Sequence, residues 1–240
     1  MPARPFTPPR LIGHRGAKAL APENTLGSIR AAKAAGATWV EIDAKLAGDG
    51  VPVLMHDASL DRTTDVQGPV VARGSAELAT VDAGNGEGVP TLAQCLALCR
   101  EIGLGLDLEI KPDAGTGSAT ARAVLAVLAA EGWGPEDPIV ITSFSRNALR
   151  VVRDAAPDYI RGLLLTGRPA DWREAARDLA VDAVIPGTKD VHGPEDVTAI
   201  VAGGWIPMVY TVNDPQRARE LYDWGMVSIV TDDPPALLGL

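Results

Sequence analysis

Several ionisable residues sit where a core strand would carry apolar ones. In WVEIDAKL, Glu41 and Asp43 stand two apart inside a β-branched, apolar run. In LGLDLEIK, Glu109 and Lys111 repeat that spacing, with Asp107 one step deeper. Side chains two apart on a strand point to the same face, so each run gathers its charges on one side. The stretch LIGHRG adds His14 and Arg15 at the tip of an apolar segment, between two glycines. Taken singly, each has a plain explanation: a strand-end histidine is structural, Glu-x-Asp is a solvated edge, Glu-x-Lys is a salt bridge. Charges with apolar flanks are costly to bury without partners, however, and several of them together ask for one common cause.

A divalent cation supplies that cause. Glu41, Asp43 and Glu109 form a hard oxygen donor set suited to Mg²⁺ or Ca²⁺, with neither thiolate nor imidazole among them. Arginine's planar fork and lysine's point charge both suit phosphate oxygens. Three carboxylates, one divalent ion, Arg15, Lys111 and a phosphodiester then cancel in charge. In this arrangement Arg15 holds a phosphate and His14 is free to move a proton.

Strands must bring these groups together. The chain alternates short strand-like runs with longer helical ones, and nine strands are expected: RLIGH, WVEIDAKL, VPVLMH, LGLDLEI, PIVITSF, IRGLLLT, VDAVIP, IPMVYTV and VSIVT. Between most of them lie helical segments such as TLGSIRAAKAAG, TLAQCLALCREIG, ATARAVLAVLAAEG and DPQRARELYDWG, each opened by a capping Thr, Ser or Asp and closed by Gly. Alternating β and α elements imply a parallel sheet covered by helices. The link between WVEIDAKL and VPVLMH holds only a few residues around Gly48-Asp49-Gly50, too few for a parallel crossover. VPVLMH therefore folds back as a hairpin, and the remaining strands make an α/β (β/α)8 TIM barrel, with its chemistry at the carboxyl ends of the strands. A doubly wound open sheet lacks its glycine-rich fingerprint here. Centring the hairpin on Asp49 sets His56 opposite Ile42, beside Asp43. Residues 57–89 break the βα rhythm and read as a small insertion over the barrel mouth. Its GNGEG run has no following lysine or helix start, so it is not read as a phosphate cradle.

The chain has 240 residues, 46% of them hydrophobic, which suits one domain, expected over 9–240, with no need of disulfides. Cys95 and Cys99, four apart in a helical segment, read as small buried hydrophobes. A formal charge of −9 argues against nucleic acid as partner, so any phosphate site must be positive only locally. MPARPFTPPR lacks a signal-peptide core and no run approaches ~18 apolar residues, which points to a cytoplasmic protein without stable membrane association.

The same motifs carry a specific resemblance. GHRG at 13–16, PENT at 22–25, EIDAKLAGDG at 41–50, LMHD at 54–57, LEIK at 108–111, SF at 143–144, YTVN at 210–213 and TDDP at 231–234 together resemble the glycerophosphodiester phosphodiesterase family, most of all its small cytosolic bacterial members. The resemblance implies a barrel with an inserted segment, dependence on a divalent metal, and hydrolysis of glycerophosphodiesters to glycerol 3-phosphate and an alcohol. It implies His14 and His56 as the acid–base pair, Arg15 and Lys111 on phosphate, Glu41, Asp43 and Glu109 on metal, and Phe144 and Tyr210 lining the pocket. Tyr210 stands where relatives often carry tryptophan, which bears on how the glycerol or the alcohol packs. PENT reads as mostly structural, with Pro22 and Asn24 shaping the loop and Asn24 or Thr25 capping the first helix. The nucleophile is either a water or the glycerol's own 2-hydroxyl, and the sequence favours neither. His14 is taken as base and His56 as acid, with the reverse also open. Lys189 and His192 read as solvated loop residues. Two other functions compete: a phospholipase-like phosphodiesterase acting on intact lipid, which would want an apolar or basic rim, and a catalytically silent phosphate-binding barrel, which would have lost a histidine or a carboxylate.

Overall fold

A computed structural model describes residues 6–240. Its strands are β1 (Leu11–Gly13), β2 (Trp39–Leu46), β3 (Pro52–Leu54), β4 (Gly105–Ile110), β5 (Ile139–Ser143), β6 (Ile160–Leu165), β7 (Ala183–Pro186), β8 (Ile206–Val209) and β9 (Ser228–Thr231). They order as β1-β9-β8-β7-β6-β5-β4-β2-β3, and an additional β1–β2 pairing closes the ring. Every pairing around the ring is parallel. Only β3 lies outside it, antiparallel to β2. Removing that strand from the nine-stranded sheet leaves the closed eight-stranded barrel.

Helices follow most staves: α1 (Leu26–Ala34), α2 (Ser75–Leu78), α3 (Leu92–Ile102), α4 (Gly117–Ala130), α5 (Arg146–Ala155), α6 (Trp172–Asp178), α7 (Pro194–Val201), α8 (Pro215–Asp223) and α9 (Pro234–Leu237). Their starts are chemically marked. Thr25, Ser145 and Asp214 each accept a backbone N–H of the first turn, and Thr91 with Gln94 forms a full capping box. At the far end of α3, Gly103 takes a left-handed φ of 64° that a side chain would resist.

The hairpin pairs Ala44 with Leu54 and Lys45 with Val53, so its register is the one obtained by centring on Asp49. Met55 N–H then donates to Asp43 O at 3.0 Å, which places His56 level with Ile42. Hydrogen-bonded strand is shorter than the apolar runs imply: β3 stops before Met55, and β8 stops before Tyr210. The latter residue still makes one isolated bridge, to Gly187.

Strand alternation divides the side chains into two sets. One set, including Val40, Ile42, Leu106, Leu108 and Ile141, packs outward against the helices. The inward set is itself split. Ile12, Leu164, Ala183, Ile185, Met208 and Val230 fill one side of the barrel with apolar volume. On the other side Glu41, Asp43, Lys45, Asp107, Glu109 and Thr142 are all buried. The inserted segment makes a separate apolar cluster, in which Leu60, Val70, Leu78 and Val89 pack on Val53 and Met55 of the hairpin. Cys95 and Cys99 are free and buried, their Sγ atoms 3.9 Å apart. Among the described residues no helix is long and apolar enough to cross a membrane.

The apolar side is what holds the polar side in place. Ile185 is fully buried among the inward apolar residues, so Ile185→Ala is expected to lose about 2–5 kcal/mol of unfolding free energy in urea titrations.

Candidate active site

The GHRG turn is tight because its residues allow nothing looser. A Cβ on Gly13 would lie 2.1 Å from Gly16 O, and one on Gly16 would strike Ser28. Arg15 itself adopts φ 50°, a left-handed conformation that costs a non-glycine residue roughly 1–2 kcal/mol. Its backbone is held there from both sides. Arg15 N–H donates to Glu41 Oε2 at 2.9 Å, and Arg15 O accepts from Asn24 N–H at 3.1 Å and Ser28 Oγ at 2.9 Å. The turn thereby aims both His14 and Arg15 at the barrel mouth.

His14 Nδ1 lies 2.5 Å from Asp232 Oδ1, just beyond β9, and Asn213 Nδ2 donates to the other oxygen of Asp232 at 2.8 Å. Burial pushes the Asp232 carboxyl up, but the bonds from His14 and Asn213 outweigh it and hold its pKa at about 2. His14 Nε2 faces inward, 3.8 Å from Glu41 Oε2.

Glu41, Asp43 and Glu109 each offer an oxygen within 4.8 Å of the others. Glu41 Oε1 and Asp43 Oδ1 are buried with no hydrogen-bond donor, while Glu109 Oε1 has only Lys111 Nζ beside it. Lys111 Nζ sits 2.9 Å from Glu109 and 3.5 Å from Asp43, and Arg15 Nε is 3.2 Å from Asp43. Burial first, then the charges of Asp43 and Glu109, raise the Glu41 pKa well above its usual range. Burial, with Asp43, takes Glu109 to about 8, and burial takes the deeper Asp107 to about 7 despite a bond from Thr142 Oγ1. Asp43 goes the other way: burial opposes its ionisation, but Lys111 and Arg15 win. Converging hard oxygens with unsatisfied lone pairs are what a divalent ion requires, so the residues present fit one.

Asn24 neither caps α1 nor acts only on the loop. Thr25 is the cap, while Asn24, at φ 58°, donates to Asp43 Oδ2 at 2.8 Å and accepts Asp43 N–H at 3.1 Å. The glycine-rich run is also turned inward on the protein. The N–H groups of Gly84 and Gly86 donate to Asp82, and Glu87 accepts from Gly27 in α1.

His56 Nδ1 is 2.6 Å from Asp57 Oδ1, and Arg62 Nε donates to Asp57 Oδ2 at 2.6 Å. Burial lowers the His56 pKa, against the pull of Asp43 and Asp57. Arg62 also grips Glu23, which in turn accepts from Arg15 Nη1 at 2.5 Å. His14, Arg15, Glu41, His56, Glu109, Lys111, Phe144 and Tyr210 thus share the walls of one inner chamber of about 130 Å³, whereas Asp43 is buried and does not line it. Outside it lies an open groove of about 650 Å³, which shares His56, Lys111, Phe144 and Tyr210 and adds Pro112, Ser145, Asn147 and Thr166. Phe144 and Tyr210 meet edge to face at 5.6 Å, with Lys111 Nζ 5.0 Å from the Phe144 ring centre and Tyr210 OH donating to Leu165 O. Lys189 and His192 are exposed and line neither cavity.

Asp232, Asp57, Glu23, Arg62 and Asn213 escaped the sequence reading as site residues, although all but Arg62 stand in quoted motifs. Nothing in those motifs says which histidine or arginine each carboxylate meets. The signal available was adjacency: a barrel's last strand pairs with its first, which puts TDDP beside GHRG.

The family model described as the glycerophosphoryl diester phosphodiesterase family matches residues 14–236. A glycerophosphodiester phosphodiesterase of Caldanaerobacter subterraneus subsp. tengcongensis is 30% identical, over 96% of this chain and 96% of its own. Among solved structures, a phosphodiesterase of Oleispira antarctica in complex with the product sn-glycerol 3-phosphate superposes with a TM-score of 0.91 at 34% identity, covering 95% of each chain. A glycerophosphodiester phosphodiesterase of Agrobacterium tumefaciens gives a TM-score of 0.79 at 26% identity, over 97% of this chain and 100% of that one.

Carboxyls with raised pKa values bind protons in the folded chain that the unfolded chain has released, so stability falls as pH rises. For Glu109 the window runs from about 4.5 to about 8 and for Asp107 from about 3.8 to about 7; His56, with its lowered value, opposes only part of it. In chelator, the urea midpoint is therefore expected to fall between pH 5 and pH 8, and Glu109→Gln should flatten that slope.

Proposed function

The chain belongs to the glycerophosphodiester phosphodiesterase family and carries that activity; on this premise we propose how its own residues perform the reaction. The substrates are small glycerophosphodiesters such as glycerophosphocholine and glycerophosphoethanolamine, cleaved to sn-glycerol 3-phosphate and the free alcohol. Nucleic acid and membrane surfaces are not its partners, and its place is the cytoplasm. Residues 9–240 act as one domain, with the insertion at 57–89 flanking the mouth.

Glu41, Asp43 and Glu109 would hold one Mg²⁺ or Ca²⁺, which when bound draws charge from the non-bridging phosphoryl oxygens. Arg15 and Lys111 orient the phosphate and meet the charge that grows on it in the transition state. Both cations are already paired to carboxylates of the site, so they are held in place before substrate arrives.

His14 takes the proton from the attacking hydroxyl and His56 returns one to the departing alkoxide; where that hydroxyl is water's the product is sn-glycerol 3-phosphate at once, and where it is the glycerol's own a cyclic phosphate forms, which a water then opens to the same product. The observation that supports this division is positional. His14 lines only the inner chamber, whereas His56 lines both the chamber and the outer groove. A diester with its glycerol phosphate inside and its alcohol in the groove passes its leaving oxygen beside His56. Burial keeps His56 a stronger acid than a solvated imidazolium, so a proton placed there is readily given up. Asp232 and Asp57 hold the two rings through Nδ1, leaving each Nε2 for chemistry. Phe144 and Tyr210 form the apolar wall on which the glycerol or the alcohol packs.

Glycerophosphocholine and glycerophosphoethanolamine, incubated with and without Mg²⁺ or Ca²⁺, are expected to yield sn-glycerol 3-phosphate only with metal present. His14→Ala and His56→Ala should each lower turnover by ~10²–10⁴ while the chain stays folded. Glu41→Gln should remove activity and metal response together. Full activity in excess chelator, or normal turnover in either histidine variant, would contradict the assignment.

A further inference from the structure

We propose that Arg62, supplied by the inserted segment, is a positioning residue that fixes His56 and Arg15 relative to one another. Its guanidinium uses all three nitrogens. Nε donates to Asp57 Oδ2 at 2.6 Å, while Nη1 and Nη2 donate to the two oxygens of Glu23 at 2.9 and 2.7 Å. Asp57 contacts His56 through its other oxygen, and Glu23 Oε1 accepts from Arg15 as well. The result is an unbroken chain of charged contacts: His56, Asp57, Arg62, Glu23, Arg15.

An ordinary surface salt bridge would count for little, and the Arg62 side chain is 46% exposed. Its partners are not ordinary. The Glu23 side chain is only 8% exposed and is shared between two guanidinium groups, and the fork on it is bidentate. The His56 ring, on the exit of a hairpin and 30% exposed, has Asp57 as its hydrogen-bond partner, and Asp57 is steadied by Arg62. Without Arg62, the nearest other cation to Glu23 besides Arg15 is Lys18, at 3.9 Å. Glu23 would then be free to swing and carry Arg15 with it, and Asp57 would be free to rotate with His56. The insertion thus contributes to turnover through one side chain that touches no reacting atom.

This inference rests on the roles given to His56 and Arg15, so the test carries His56→Ala beside the Arg62 variants. Steady-state kinetics on glycerophosphocholine, with thermal midpoints, are measured for Arg62→Met, Arg62→Lys and His56→Ala. Arg62→Met is expected to lose ~10–100-fold in kcat with KM changed by less than about 3-fold. Arg62→Lys keeps the charge and the fold, but one ammonium cannot span both carboxylates, so most of the kcat loss should remain. Millimolar guanidinium ion should restore part of the Arg62→Met turnover and none of that of His56→Ala. Wild-type kcat in both Arg62 variants, or a loss that follows the folded fraction and ignores guanidinium, would overturn the proposal. An inactive His56→Ala beside fully active Arg62 variants confines the failure to Arg62, whereas an active His56→Ala brings down the site assignment and this inference together.

Discussion

Everything at the mouth of this barrel is organised by the repulsion among Glu41, Asp43 and Glu109. Their oxygens approach within 4.8 Å of one another, all three residues being buried. Two ionised carboxylates at that separation repel by roughly 3–4 kcal/mol even at an effective dielectric of about 20. The protein divides this strain. Asp43 takes two cations and the Asn24 amide, which favour its ionised form, while burial favours the protonated forms of Glu41 and Glu109. A site of this kind is unfavourable by itself, and the apolar half of the same barrel, on which Phe144 and Tyr210 of the site pack, offsets it.

In the proposed mechanism the two cations have a second use that follows from the first. Arg15 and Lys111 neutralise carboxylates in the resting site, and the same side chains face the chamber where a phosphate would lie. Anion binding in an acidic protein therefore needs no basic surface, since two positive groups are gathered at the walls of one chamber. The cost is local backbone strain: Arg15 reaches its place only through a left-handed φ, held by Glu41, Asn24 and Ser28.

Both histidines are supported in the same manner but not equally. Asp232 is fixed by Asn213, a neutral amide, whereas Asp57 is fixed by a guanidinium from the insertion. The hairpin and the insertion are one construction in this respect. The tip of the hairpin bonds to the insertion at Gly48–Arg73 and Asp49–Ser75, and its base presents His56. The apolar cluster beneath them keeps the two in register.

Much of this was readable before any coordinates. The period of two along a strand puts Glu41 with Asp43, and Glu109 with Lys111, on one face whatever surrounds them. A hairpin too short to cross over sets the height of His56 by simple counting from Asp49. Fold class follows from a different alternation, that of strands with helices, together with the count of eight once the hairpin strand is set aside. What the sequence could not decide is who partners whom. His14 and Asp232 lie 218 positions apart and meet only because β9 closes on β1. Whether Asn24 caps a helix or braces a carboxylate, and whether Arg62 ends in solvent or between two carboxylates, depend on distances between loops that no local pattern encodes. Charge pairing is a contact of a few ångströms, and contacts at that range are set by packing of the whole chain rather than by spacing along it.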